Sequence, residues 1–197
     1  MKSLVLALAF GLVACSPRTI VVRAPADQDV AVETGLRHTH FAQELGCTAV
    51  DVGTGILITA KHCVDGEEQG LGSQSSAGMV IYISPVLDFA LLFDSARMNH
   101  PVPAMRAPKL GEHVYAIGFP VQLSTKEQKL TVTDGIMAGP DDGEGHLRFT
   151  APIYFGNSGG GVWAEDGALI GISVSGFLSL PGMNYLVSVA DVEPWIP

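Results

Sequence analysis

Basic side chains are scarce: 11 Lys and Arg stand against 20 Asp and Glu in 197 residues, a formal charge of −9 with histidine neutral. A surface this acidic lacks the cations that neutralise phosphates. The few present, among them Arg97, Arg106, Lys109, Lys126 and Lys129, are scattered, so no nucleic-acid partner is expected. Long apolar runs are missing too. A bilayer-spanning helix needs about 20 consecutive apolar residues, and the longest run, Leu4 to Val13, is roughly half that. Cysteine is rare, with three residues and no C-x-x-C pair, which argues against a thiolate zinc site. No internal repeat, heptad or low-complexity tract is present. What remains, 47% hydrophobic and 16% charged, suits one globular domain and leaves little room for a second.

The apolar run has a place. It follows the positively charged Met1-Lys2-Ser3, the layout of a signal peptide. Its end, Leu12-Val13-Ala14-Cys15, resembles the bacterial lipobox, in which the cysteine is acylated and becomes the new N-terminus. That resemblance implies a signal over residues 1–14, a lipidated Cys15 with a tether over 15–32, and a domain over 33–197. An ordinary signal peptide with an unmodified Cys15 is the alternative. The acylated chain would be exported and anchored to a bacterial membrane facing the periplasm, with Ser16 permitting outer-membrane sorting. With Cys15 assigned to lipid, Cys47 and Cys63 remain as a pair, or as two free buried thiols. Export into an oxidising compartment favours a disulfide.

Ser16 to about Val32 mixes Pro, Ala, Asp and Gln with short apolar stretches and reads as a tether or an opening strand. Leu36 to Leu45 is expected as a short helix ended by Gly46. Beyond Cys47, short β-rich runs alternate with turn signals. They are Gly55 to Thr59, Met79 to Ile83, Phe89 to Phe93, His113 to Gly118, Leu130 to Ala138, Leu147 to Pro152, Gly161 to Trp163, Leu169 to Val174 and Asn184 to Val189. Many short strands with 23 glycines predict an all-β sandwich or barrel. The Gly66 to Gly78 and Gly139 to Gly145 stretches are polar and Gly-rich and read as surface loops.

Three segments carry chemistry: Thr59-Ala60-Lys61-His62-Cys63, Asp88-Phe89-Ala90-Leu91-Leu92 and Gly156-Asn157-Ser158-Gly159-Gly160. In the order His, Asp, Ser they resemble the chymotrypsin-like serine peptidases. The separation of Cys47 from Cys63 matches the disulfide that brackets the histidine in that family. Leu110 to Gly118, Thr133-Asp134-Gly135-Ile136 and Leu169-Gly171-Ile172 with Ile170 between are similar to the bacterial high-temperature-requirement branch. The resemblance implies two six-stranded antiparallel β-barrels, halves of about 33–105 and 106–197, with the active site in the cleft between. It implies a serine endopeptidase, a hydrolase of polypeptides that works through an acyl-enzyme.

The roles follow from the chemistry. A serine hydroxyl is a weak nucleophile, so Ser158 needs an imidazole, His62, to take its proton, and a carboxylate, Asp88, to hold the imidazole. Backbone N–H groups of Gly156 and Ser158 would form the oxyanion hole. Where digestive members carry Asp before the nucleophile, Asn157 stands here, so no activating ion pair is expected. By position the primary pocket falls near Pro152, Ser175, Gly176 and Phe177; none is charged, which predicts small or medium apolar residues before the scissile bond. No cofactor or metal is expected. His38, His40, His100, His113 and His146 form no ligand motif and read as solvated, Asp141, Asp142 and Glu144 as a solvated turn, and Trp163 and Trp195 as packing residues. With Pro197 soon after the last strand, a monomer without a downstream peptide-binding domain is expected. A catalytically silent or partner-gated binding module and an esterase are the other functions this fold would allow.

Overall fold

The computed structural model describes residues 26–66, 70–121, 128–140, 143–176 and 182–197. Helix α1, Ala26–His38, comes first and is followed by β1, Thr39–Ala42, a 3₁₀ turn over Gln43–Leu45, and β2, Cys47–Asp51. This corrects the expected helix over Leu36–Leu45: the helix begins earlier, inside the stretch read as a tether, ends at His38, and strand follows it. Gly46, in the left-handed conformation, closes the 3₁₀ turn rather than a helix. Packing accounts for the shift. Ala31 is fully buried, and a Cβ on Gly35 would stand 2.3 Å from Ile117 Cδ1, so a helix with a weak apolar stripe is held by close approach to the strands beneath it.

The remaining strands are β3 (Ile56–Thr59), β4 (Gln74–Ser75), β5 (Gly78–Ile83), β6 (Ala90–Phe93), β7 (His113–Gly118), β8 (Thr131–Gly139), β9 (His146–Phe149), β10 (Gly161–Ala164), β11 (Leu169–Gly176) and β12 (Asn184–Ser188). All nine expected strands are present; β1, β2 and β4 are additional. The hairpin of β4 with β5 runs through part of the stretch read as a loop from Gly66 to Gly78.

Six strands make each half. The second half closes into a barrel in the order β10-β11-β12-β9-β8-β7, and the first forms a six-stranded sheet, β1-β2-β3-β6-β5-β4, a half-barrel. Its two ends are joined by side chains: the Gln43 N–H donates to Ser76 Oγ (2.9 Å) and the Ser76 N–H to the Glu44 carboxylate (2.8 Å). Every described ladder pairing is antiparallel. One apolar cluster runs through both halves, from Ile58 and Phe89 to Ile117, Trp163, Leu169 and Ile172, so the halves share a core. Trp163 is fully buried, as expected of a packing residue, whereas Trp195 is half exposed and stacks on Tyr82 with ring centroids 5.1 Å apart. No helix among the described residues is long and apolar enough to cross a membrane.

Candidate active site

Strand register places the first two site residues. β3 and β6 are antiparallel with Thr59 opposite Ala90, so the turn leaving β3 and the residues entering β6 meet at one end of the sheet. His62 lies on that turn, a 3₁₀ segment over Lys61–Cys63, and Asp88 lies just before β6. The Asp88 carboxylate accepts twice from His62: from the ring Nδ1–H at Oδ2 (2.7 Å) and from the backbone N–H at Oδ1 (3.0 Å). A carboxylate in that position makes Nδ1 the protonated nitrogen and leaves Nε2 with a lone pair. Partial burial works to raise the Asp88 pKa, but the two His62 hydrogen bonds, with smaller contributions from the charges of His62 and His146, hold it below the ordinary value. Cys63 follows His62 directly and is bonded to Cys47, their Cα atoms 6.3 Å apart, which ties the histidine turn to β2.

Ser158 comes from the other half, on the loop before β10. Gly156 there has φ +96°, and a Cβ on it would stand 2.4 Å from the Phe119 carbonyl, so the position accepts only glycine. Neither the Gly156 nor the Ser158 N–H donates to any group among the described residues, while the carbonyls around them are all engaged. Two uncommitted donors flanking a serine can receive an oxyanion.

A cavity of about 270 Å³ adjoins this serine, lined by His62, Ile153, Tyr154, Phe155, Ser158, Val174, Ser175 and Gly176. Ser175 and Gly176 are among its walls. Pro152 is not: it is exposed, because the extended chain turns Ala151 and Ile153 inward on either side of it, and Ile153 takes its place as a wall. Phe177 lies outside the described residues. A larger cavity, about 620 Å³, borders the His62 and Asp88 pair, with Lys61, Asp65, Glu144 and His146 also on its walls. Residues 1–25, with Cys15, lie outside the described residues, as do Asp141 and Asp142.

Residues 47–172, well over half of the chain and including His62, Asp88 and Ser158, match the trypsin-like peptidase domain family. The chain belongs to that family. It is similar to the serine endoprotease DegS of Escherichia coli strain K12, 28% identical over 137 residues that cover 62% of this chain and 37% of DegS. It is also similar to the mitochondrial serine protease HTRA2 of Bos taurus, 27% identical over 198 residues that cover 86% of this chain and 42% of HTRA2. Among solved structures, the serine endoprotease from Yersinia pestis superposes with a TM-score of 0.70 at 25% identity, over 87% of this chain and 66% of that one. The match spans less than half the length of the curated relatives.

The trypsin-like domain also gathers a polar group that the sequence does not announce. Asp51, its side chain 1% exposed, faces His100 Nδ1 at 2.5 Å and His40 Nε2 at 3.8 Å, and its backbone carbonyl accepts from His38 Nδ1–H at 2.8 Å. The expectation of solvated histidines therefore fails for His38, which is buried, and for His40, which is mostly so. The donor atoms of His40, Asp51 and His100 lie within 4.8 Å of one another, a spacing that could hold a metal ion. Arg97 already stands there: its Nη1–H donates to His40 Nε2 at 2.9 Å, along the lone pair a metal would need, and lies 3.7 Å from Asp51. A guanidinium thus neutralises the buried carboxylate. The sequence signal that could have exposed the group is weak, since its members are spread from residue 38 to residue 100.

Proposed function

We propose that the chain is a serine endopeptidase that cleaves polypeptides through an acyl-enzyme, exported and anchored to a bacterial membrane through a lipid on Cys15. The observation that carries the catalytic reading is the doubly bonded His62 and Asp88 pair sharing a cleft with Ser158, beside the uncommitted N–H groups of Gly156 and Ser158. Ser158 Oγ adds to the scissile carbonyl while His62 Nε2 takes its proton. Asp88 stabilises the imidazolium that forms. The tetrahedral oxyanion accepts from Gly156 and Ser158 N–H, each such donor contributing about 3 kcal/mol to the transition state. The imidazolium then protonates the leaving amine, and a water activated by the same histidine releases the acyl group.

The walls of Ile153, Val174 and Gly176 support small or medium apolar side chains before the scissile bond, because no charge lies in the cavity to meet Lys or Arg. DegS and HTRA2 are serine proteases by name, which supports the same class here.

A fluorophosphonate probe applied to the folded, oxidised protein tests the reading. Labelling of the wild type that disappears in Ser158→Ala is expected, together with hydrolysis of peptides faster than of non-peptide esters of matched side chain. Absence of labelling would leave a binding module on the same fold, and hydrolysis confined to esters would make it an esterase. For the anchor, growth of the expressing bacterium with an alkyne fatty acid should label the full chain and fail to label Cys15→Ser; equal labelling of the two would remove the lipid from the proposal.

A further inference from the structure

We infer that Thr48, at the start of β2, is the residue that sets the shape of the oxyanion hole, through hydrogen bonds that reach from the first half of the domain into the nucleophile loop of the second. The inference rests on the serine peptidase reading above.

Peptide-by-peptide accounting leads to it. Four successive peptide units run from Phe155 to Gly159. Two of them carry the uncommitted donors, and their carbonyls are held from within the second half: Phe155 O accepts from Val121 N–H (2.7 Å), and Asn157 O from Gly160 N–H (2.7 Å) and Ser173 Oγ–H (2.7 Å). The other two alternate with these. Their N–H groups are bound to Tyr154 O (3.0 Å, from Asn157) and Ser173 O (2.7 Å, from Gly159). Both of their carbonyls go to Thr48: Gly156 O accepts from its Oγ1–H (2.7 Å) and Ser158 O from its backbone N–H (2.9 Å).

The hydroxyl is used twice. While donating to Gly156 O it accepts from Phe119 N–H (2.9 Å), at the end of β7, so its orientation is fixed by two partners at once. Thr48 is itself held, since Thr59 Oγ1–H donates to its carbonyl (2.8 Å), and it is fully buried. Its neighbour Cys47 is anchored by the disulfide to the residue after His62. One side chain therefore fixes the plane of the peptide between the two oxyanion donors relative to the part of the fold that carries the base. Losing the hydroxyl frees Gly156 O in a residue whose glycine backbone offers little resistance to rotation. The peptide between the two donors is then free to turn, so the Ser158 N–H no longer keeps a fixed angle to the Gly156 N–H, which Val121 still holds through Phe155 O, although His62 and Asp88 are untouched. Thr48 is a positioning residue: nothing requires it to touch substrate.

The test compares the full-length wild type with Thr48→Val, Thr48→Ala and Thr48→Ser, each checked for folding by circular dichroism and thermal melting. Two readouts of fluorophosphonate labelling are kept apart: the endpoint, which counts competent sites, and the rate constant per site, followed across pH. Thr48→Val is expected to reach the wild-type endpoint with a rate constant lower by about tenfold or more, a fraction of the loss seen when an oxyanion donor is deleted outright. The midpoint of its acid limb stays where it is, because the His62 and Asp88 pair is intact. Thr48→Ser restores the rate to within about threefold, since it keeps the hydroxyl. Thr48→Ala takes the place of Thr48→Val if that variant does not fold. A wild-type rate constant in the valine or alanine variant overturns the inference, as does a fall in endpoint alone or failure of serine to rescue. Absence of labelling in the wild type is a different result: it removes the peptidase reading and this inference with it.

Discussion

Asp88 holds His62 by two hydrogen bonds at once, one to the ring Nδ1–H (2.7 Å) and one to the backbone N–H (3.0 Å). The backbone bond positions the residue and the ring bond selects the tautomer, so the two functions can be separated by one substitution. Asp88→Asn keeps an oxygen for the backbone N–H but can present an amide N–H to Nδ1, which then becomes the acceptor and puts the proton on Nε2. The fold should survive while kcat falls by about 10⁴-fold, as expected when a triad histidine is left in the wrong tautomer. Steady-state kinetics with melting curves check both parts. A variant that retained activity within tenfold would show that Asp88 does not hold the base.

His40 sets an acid-side dependence of stability. Burial first and the neighbouring Arg97 second, with His100 and His38 adding to them against Asp51, lower its pKa from 6.5 to about 4. The unfolded chain therefore binds a proton between those values that the folded chain refuses, so stability rises with pH through the window and is lost as pH falls from 6.5 towards 4. The loss from this residue is at most about 3 kcal/mol. Chemical denaturation of the wild type and of His40→Gln at pH 7 and pH 4.5 should give a steeper decline for the wild type. Parallel declines would remove His40 as the cause.

What was legible in the chain was legible because it is local. Ser158 sits in a run of glycines, His62 next to a cysteine, and Asp88 before a continuous apolar strand, and each signal fits within five residues. Strands such as His113–Gly118 read correctly because their apolar runs are unbroken. β2 did not, since Thr48 and Asp51 put polar atoms inside a strand buried at every position, and these same two residues bond to the loop that carries Ser158 and to the histidine group. Their partners lie as far along the chain as Ser158, where no periodicity points. The first helix failed for a related reason: its composition resembles a tether, and only the surface it packs on makes it helical.

Asn157 is buried, and its Oδ1 has no hydrogen-bond partner among the described residues. A carboxylate in its place would be a buried charge without a counter-ion. Asn157→Asp is thus expected to cost about 3 kcal/mol or more near neutral pH. The acid would escape part of the cost by staying protonated, which raises its folded pKa; its destabilisation should therefore be smaller at pH 5 than at pH 8. Equal stability of mutant and wild type at pH 8 would mean that a cation reaches the site.

The bond between Cys47 and Cys63 closes a loop of 16 positions that ends beside His62. Replacing both with serine should lower stability by roughly 3 kcal/mol on the chain-entropy account. Because the bond also ties the histidine turn to β2, the double variant should lose activity with warming sooner than it loses secondary structure. Coincident loss of the two signals would confine the disulfide to a general stabilising role.

The cavity beside Ser158 makes the sharpest prediction about substrate. Ile153 and Val174 are its buried apolar walls, and Gly176 has no room to change, since a Cβ on it would stand 2.4 Å from Asn184 Oδ1. Asn184 in turn donates to Ala151 O at 2.8 Å, so that wall is rigid. Enlargement is open only at the apolar side. Ile153→Ala should move the preference before the scissile bond from Val or Ala towards Leu or Phe, with a change in relative kcat/KM of about tenfold or more, the amount one or two methylenes decide in an apolar pocket. Profiling both enzymes on a peptide library varied at that position measures it. If the preference does not move while overall activity falls, the residue before the scissile bond binds elsewhere, and the cavity belongs to another part of the substrate.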